Sequence, residues 1–181
     1  MMLVQYADKL EDALIGTAVT GQGGGLVGDG YVERALPGQC AFFIGNGGSA
    51  AIASHMATDF SNKGNVPSLA LNDLSALTCV SNDYKYENVF VKQLEWHAHA
   101  HDWLFAISSS GKSKNILWAV DCALERGMEV VTLSGFSPKN PLRGMGMVNY
   151  YVPSYDYGIV ETAHLGILHA LLDGVALSDS G

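Results

Sequence analysis

From residue 40 onward, short apolar runs alternate with longer stretches of helical periodicity. The apolar runs are typical of buried strands and cover 41–44, 68–71, 103–108, 129–134 and 148–153. Helical patterns occupy 49–61, 73–98, 113–126 and 158–177, and we expect an interruption of the second near 82–85. This alternation predicts βαβ units, a parallel sheet and helices on both of its faces.

The N-terminal region departs from that pattern. Residues 2–15 predict a short amphipathic helix, and seven glycines then fall between residues 16 and 30. Such glycine density predicts a break in regular structure and a mobile loop, serving either as a flexible connection or as an active-site lid. No linker divides the chain, so we predict one domain over 1–181 with an α/β core over about 38–177.

Composition narrows the function classes. The 181 residues are 48% apolar and 15% charged, which is typical of one globular domain. A net charge of −8 argues against a nucleic-acid surface, and no 18-residue apolar run predicts a membrane span. Cys40, Cys79 and Cys122 are widely spaced, so we expect reduced core cysteines in a cytoplasmic protein.

Two polar loops each follow a predicted strand. The first, 45–49, opens a helix that carries His55 and Asp59 four residues apart and therefore on one face. Its glycines could expose backbone N–H groups to an anionic or oxygen-rich ligand. The alternative is a tight turn with Ser49 as the helix cap. A dinucleotide turn is disfavoured because Ala50 stands where its last glycine belongs.

The second loop, 108–113, carries four serine hydroxyls and a glycine at the start of a helix. Neutral donors and a helix N-terminus suit a phosphate group, although the P-loop spacing of glycines and lysine is absent. The alternative is a serine-rich turn with Ser113 as the helix cap. Ligands of parallel sheets lie at the carboxyl ends of the strands, where both loops fall.

Ionisable residues also cluster on the last predicted helix, at Glu161, His164 and His169. Three such groups on an otherwise apolar helix favour a functional site over three isolated core residues. Glu161 and His169 lie about 12 Å apart along the helix axis. One metal ion could therefore bind both only through extended side chains or with a ligand from a neighbouring subunit. The alternating histidines at 97, 99 and 101 favour solvent exposure over metal binding.

These motifs in this order resemble the sugar isomerase (SIS) family, and within it the sedoheptulose-7-phosphate isomerases, also called phosphoheptose isomerases. The match runs from about residue 38 to 175. It rests on Gly-Asn-Gly-Gly-Ser-Ala-Ala at 45–51 with His55, Ser-Asn-Asp at 81–83, Ile-Ser-Ser-Ser-Gly-Lys-Ser at 107–113, Val-Pro-Ser at 152–154, and Glu-Thr-Ala-His-Leu-Gly-Ile-Leu-His at 161–169.

The resemblance implies an α/β three-layer sandwich with a five-stranded parallel sheet, assembled as a homotetramer with active sites between subunits. It implies interconversion of a ketose phosphate and an aldose phosphate on the way to ADP- or GDP-heptose. The implied phosphate ligands are Ser108, Ser109, Ser110 and Ser113. The implied sugar-binding residues are Asn46, Gly47, Gly48, Ser49, Asp59, Asn82, Asp83 and Glu161. The implied ligands of one zinc or other divalent ion are His55, Asp59, Glu161 and His169.

The same resemblance makes Asp59 the general base and His169 its partner acid. Moving a carbonyl between C1 and C2 requires such a pair to act through an enediol, and a cation can stabilise the oxyanion. The family usually has Glu at the position of Asp59 and Gln at that of Glu161. Other interpretations are a different phosphosugar substrate, a sugar-phosphate sensor, and a non-catalytic SIS tetramer that binds a protein.

Overall fold

The computed structural model describes residues 2–21 and 39–178, and its centre is one six-stranded sheet. The strands are β1 (Ala18–Gly21), β2 (Ala41–Gly45), β3 (Ser68–Ala70), β4 (Trp103–Ser108), β5 (Glu129–Ser134) and β6 (Val148–Tyr151). Their order across the sheet is β1-β6-β5-β4-β2-β3, and β2 to β6 are all parallel. The predicted α/β class and its five parallel strands are confirmed.

Six α-helices connect and cover these strands. They are α1 (Met2–Ile15), α2 (Gly48–Asn62), α3 (Leu74–Tyr84), α4 (Val89–His97), α5 (Lys114–Glu125) and α6 (Tyr157–Ser178). The long helical pattern after β3 is broken, as expected, at Lys85, whose φ of 73° no α-helix accommodates. A single 3₁₀ turn, Tyr86–Asn88, then leads into α4.

The sixth strand corrects the expectation for the glycine-rich segment. Instead of an irregular loop from residue 16, Ala18–Gly21 pairs antiparallel with β6, with Ala18 opposite Tyr151. Val19 also packs against the core, and Val19 and Thr20 favour strands, so this part of the segment pairs before the denser glycines begin. The remainder of that segment, 22–30, lies outside the described residues.

The two faces of the sheet carry separate cores. On one face, Phe43 and Phe105 stack with ring centroids 4.6 Å apart, and Phe60 of α2 meets Phe43 edge-on at 5.2 Å. Helix α6 packs on this same face through Leu168 and Leu172. Helices α3, α4 and α5 pack against the opposite face. Continuous apolar strands are therefore buried on both sides, which explains their lack of alternation.

Three smaller expectations are tested by the structure. The cysteines are free, as predicted, but Cys79 is exposed and the other two are only half-buried, so they are not core residues. The cap of α2 is Gly47 rather than Ser49, which lies inside the helix. Within the described part of the chain, no helix is long and apolar enough to cross a membrane.

Candidate active site

The main site candidate lies where the strand order reverses, between β2 and β4. The chain leaves β2 through α2 on one face of the sheet and leaves β4 through α5 on the other. The loops that follow these two strands therefore diverge, and a crevice opens between them. The structure has a cleft of about 390 Å³ at this point.

Most of the residues predicted to bind substrate line this cleft. Its walls are formed by Asn46, Gly47, Gly48, Ser49, Ile107, Ser108, Ser109, Ser110, Ser113, Tyr157 and Glu161. Two loops that are about 60 residues apart in sequence are thus brought to one opening. That these side chains contact a substrate stays a prediction.

The serine loop presents hydroxyl groups at the start of α5. Ser113 occupies the N-cap position, but its side chain makes no capping hydrogen bond. The Ser108 hydroxyl accepts the Gly111 N–H at 3.2 Å. The Ser109 hydroxyl is buried and has no hydrogen-bond partner among the described residues. A buried hydroxyl without a hydrogen-bond partner is unfavourable, so the position of this hydroxyl favours a ligand.

A buried asparagine holds the serine loop from behind. Gly111 has a φ of 60°, and a Cβ there would come within 2.0 Å of the Asn140 side-chain oxygen. Asn140 donates to the carbonyls of Gly135 and Ser137 at 3.1 and 2.9 Å, and it accepts the Arg143 N–H at 3.0 Å. Glycine is therefore needed at position 111 for both its backbone angle and the close approach of Asn140.

Glu161 lies at the mouth of the other loop. A Cβ on Gly48 would come within 2.3 Å of the Glu161 carboxylate, so this carboxylate rests against the first turn of α2. The N-terminus of a helix favours a negative charge. The position of Glu161 is thus explained by α2, and its side chain forms part of the cleft wall.

A cluster of three side chains, His55, Asp59 and His169, lies further along α2 and α6 than Gly48 and Glu161 do. The His55 Nε2 is 3.2 Å from the Asp59 carboxylate, and the His169 Nδ1 is 4.0 Å from the same oxygen. The two imidazole rings meet edge-on with centroids 5.3 Å apart. Asp59, although shorter than the Glu usual in the family, reaches both imidazoles. The predicted acid/base pair, Asp59 and His169, is therefore brought together in space.

These three residues fit a divalent metal ion. One ligand atom from each of His55, Asp59 and His169 lies within 4.8 Å of the others. Imidazole nitrogens and a carboxylate oxygen are zinc ligands, and a catalytic zinc has three protein ligands with one open position. Two ligands of one tetrahedral zinc lie about 3.3 Å apart, close to the His55–Asp59 spacing. Glu161 is not in this cluster, and its role as a fourth ligand stays a prediction.

Other candidates belong neither to the cleft wall nor to the group of His55, Asp59 and His169. Asn82 and Asp83 are exposed near the end of α3, where the Asn82 amide donates to the Asp83 carboxylate at 2.8 Å. They do not line the cleft. The histidines at 97, 99 and 101 are exposed, as expected. Lys63 pairs with Asp173 of α6, and this hydrogen bond lowers the pKa of the Asp173 carboxyl.

The structure also adds residues that sequence patterns did not single out. Tyr157 lines the cleft. Asn115 and Tyr86 form hydrogen bonds with Asn46. Tyr157 stands four residues before Glu161, so helical periodicity places the two on one face. No comparable local signal marks Tyr86, which meets Asn46 from 40 residues away.

Comparisons with known proteins agree with this geometry. Residues 30–135 match the family model described as the SIS domain. A phosphoheptose isomerase from Colwellia psychrerythraea is 37% identical over 150 residues, covering 78% of this chain and 76% of the relative. One from Haemophilus ducreyi is 37% identical over 134 residues, covering 71% and 69%.

Solved structures give the same result. The phosphoheptose isomerase GmhA from Neisseria gonorrhoeae superposes with a TM-score of 0.77 at 29% identity, covering 98% of this chain and 93% of that one. A phosphoheptose isomerase from Francisella tularensis superposes with a TM-score of 0.76 at 28% identity, covering 96% and 90%. The similarity therefore spans nearly the whole length of all three chains.

Proposed function

The chain belongs to the SIS domain family, and from this premise we propose that it isomerises sedoheptulose 7-phosphate to D-glycero-D-manno-heptose 7-phosphate. The observation that supports this proposal most strongly is that His55, Asp59 and His169 lie close together on helices that also border a cleft rich in serine hydroxyls. A protein-binding scaffold has no need for a converging carboxylate–imidazole pair, so this observation favours the enzyme over a non-catalytic SIS tetramer.

The distance between the cleft wall and the cluster of His55, Asp59 and His169 fits a long substrate. His55 lies seven residues beyond Gly48 on α2, and His169 eight beyond Glu161 on α6. These separations correspond to about 10 and 12 Å along the helix axes. An extended chain of seven carbons and a phosphate ester, with single bonds of about 1.5 Å, spans roughly 10 Å. We therefore expect a long sugar phosphate whose chain extends from the cleft wall at Gly48 and Glu161 toward Asp59.

The reaction then needs two proton transfers on carbon and one between oxygens. Asp59 removes a proton from C1 of the ketose; the C1–H electrons form the C1=C2 bond, and O2 becomes protonated. The enediol then loses the O1 proton as C1=O forms, and the protonated Asp59, whose proton exchanges with solvent, protonates C2. His169, 4.0 Å from Asp59, moves the proton between O1 and O2.

A divalent ion held by His55, Asp59 and His169 would supply stabilisation of the negative charge that develops on these oxygens. Glu161, placed at the cleft wall, would contact the sugar between the two ends. The hydroxyls of Ser108, Ser109, Ser110 and Ser113 would hold the phosphate, with α5 adding its favourable dipole.

The substrate is tested by following the sugar directly. Purified protein should convert sedoheptulose 7-phosphate to the aldose, monitored by NMR with zinc and with chelator. Fructose 6-phosphate and ribulose 5-phosphate serve as shorter controls, and we expect slower turnover of both. Faster turnover of either shorter ketose would identify a different phosphosugar isomerase and contradict the heptose assignment.

If the serine loop binds the phosphate, removing the Ser109 hydroxyl should change substrate affinity without changing protein stability. Ser109→Ala should weaken binding of the phosphorylated substrate by about 10- to 100-fold, because a hydrogen bond to a charged group is lost. It should not lower the free energy of unfolding, since the Ser109 hydroxyl has no partner in the described residues. Calorimetric titration with substrate and urea unfolding measure the two quantities.

Ser108→Ala provides the comparison for the stability measurement. Its hydroxyl accepts the Gly111 N–H, which also donates to the Ser108 carbonyl at 3.0 Å, so this variant should lose stability by up to about 1 kcal/mol. Unchanged affinity in Ser109→Ala would show that the Ser109 hydroxyl does not bind the phosphate.

We also propose that the protein assembles as a homotetramer through its first helix. Met2, Leu3 and Ile15 of α1 are 86%, 80% and 77% exposed, while of the helix only Ala13 is buried. Apolar exposure of this extent on one element favours burial against another copy of the chain. Light scattering should give the mass of four chains, and Leu3→Lys should reduce it. A wild-type mass of one chain at micromolar concentration would contradict the assembly.

A further inference from the structure

Asn46 of the cleft is held by a reciprocal pair of amide hydrogen bonds. Its Nδ2 donates to the Asn115 Oδ1 at 3.0 Å, and the Asn115 Nδ2 donates back to the Asn46 Oδ1 at 2.9 Å. Asn115 lies in the first turn of α5 and is only 3% exposed. The pair therefore connects the turn after β2 with the helix that carries the serine loop.

A backbone group determines which way both amides face. The Ile116 N–H donates to the Asn115 side-chain oxygen at 3.0 Å. Since a backbone N–H can only donate, the Asn115 atom it meets must be the oxygen. The other end of Asn115 is then the NH₂ group, and the Asn46 atom that faces it must be an acceptor. The orientation of Asn46 follows from this chain of contacts.

A tyrosine from a distant element uses the remaining acceptor capacity of Asn46. The Tyr86 hydroxyl donates to the Asn46 Oδ1 at 2.9 Å. An amide oxygen has two lone pairs, and here one serves Asn115 and the other Tyr86. Of the two N–H groups of Asn46, one is used by Asn115. The side-chain amide of Asn46 therefore has one N–H that is not used by these contacts and can donate to a ligand.

We infer that Asn115 and Tyr86 are positioning residues that lock Asn46 as a hydrogen-bond donor toward the sugar. The inference rests on the proposed function and specifies the chemistry that the cleft accepts at this point. A carbonyl, hydroxyl or phosphate oxygen can receive the Asn46 N–H. An ammonium group cannot, so a sugar phosphate with a protonated amine at this position is rejected.

Tyr86→Phe is a clean probe because the ring is 52% exposed and only the hydroxyl is removed. With one hydrogen bond lost, Asn46 is less well oriented, and KM for sedoheptulose 7-phosphate should rise by about 3- to 10-fold. Because the group acts on binding geometry rather than on proton transfer, kcat should stay within about twofold. Tyr84→Phe, a neighbouring exposed tyrosine on α3, is the matched control and should change neither constant.

A double-mutant cycle tests whether Tyr86 acts through Asn46. Asn46→Ala alone should raise KM by about 10-fold or more, and adding Tyr86→Phe to it should have no further effect. Additive effects of the two substitutions would overturn the inference. So would an unchanged KM in Tyr86→Phe.

A measurement without substrate separates this inference from the proposed function. Hydrogen exchange of the Asn115 side-chain NH₂, followed by NMR in the free protein, should be slow in the wild type. Asn46→Ala should accelerate it by about 10-fold or more, because the Asn115 NH₂ loses its acceptor. Slow exchange in a protein that does not turn over the heptose would refute the function and retain the amide pair. Fast exchange in the wild type would refute the pair itself.

Discussion

Asp59→Asn is expected to lower kcat for sedoheptulose 7-phosphate by about 10²- to 10⁴-fold, because an amide cannot accept the proton from C1. The substitution keeps the shape of the side chain, so the fold should be unchanged. Steady-state kinetics by NMR or a coupled assay measures the loss. Bound zinc, measured by mass spectrometry of metal content, shows how much of the effect comes from weaker metal binding at His55, Asp59 and His169.

Asp173→Asn is the matched control for this variant. Asp173 is an exposed carboxylate four residues after His169 on α6; its hydrogen-bond partner is Lys63, and its electrostatic interaction with His169 is the smaller one. We expect its activity to stay within about twofold of the wild type. An Asp59→Asn enzyme that retains wild-type kcat would remove Asp59 from the role of general base.

His164 is expected to make the protein less stable in mild acid. It is fully buried on α6, and its Nε2 donates to the Ser134 carbonyl at 3.2 Å, so the ring is neutral with the proton on Nε2. Burial lowers the pKa of His164 from an ordinary 6.5 to about 4. Between these values the unfolded chain binds a proton that the folded chain does not, so stability falls as pH drops from above 6.5 toward 4.

The size of this effect follows from the two pKa values. The neutral His164 ring contributes about 3 kcal/mol to the free energy of unfolding at neutral pH, and about 2 kcal/mol of this contribution should be lost at pH 5. His164→Gln can still donate to the Ser134 carbonyl but does not titrate, so its unfolding free energy should fall less between pH 7.5 and pH 5. Urea unfolding at one protein concentration measures the difference, with the exposed His99→Gln as the control.

Direct titration of the His164 ring by NMR makes the test independent of the variant's folding. No ring titration above pH 5 is expected in the folded protein. A ring that titrates near pH 6.5 would show that burial does not exclude the charged form.

The strands and the cleft could be predicted because their signals are local. Residues 41–44 and 103–108 are continuous apolar runs, and the loops after them must meet at the sheet's carboxyl edge if the sheet is parallel. The short distance between Asp59 and His169 could not be predicted from local sequence patterns, since it depends on how α2 and α6 pack. It was predicted from the resemblance to the SIS family rather than from spacing.

Other features depend on contacts that no local pattern encodes. The strand Ala18–Gly21 forms because the edge of β6 offers backbone partners, and its four residues are too few to give a strand pattern in the sequence. The contact of the Glu161 carboxylate with the start of α2, against Gly48, had no local sequence signal, and its predicted role as a metal ligand stays a prediction. Asn46 and Asn115 form hydrogen bonds across 69 residues of sequence, and no motif around Asn115 indicates this contact.

The most direct test of the account is turnover of sedoheptulose 7-phosphate by the wild-type protein in D₂O, with zinc present. We predict formation of the aldose 7-phosphate, with deuterium at C2 of the product and at C1 of recovered ketose, because the enediol forms and is protonated by an acid that exchanges with solvent. Neither product nor deuterium in the recovered ketose, at any zinc concentration, would contradict the proposed isomerase.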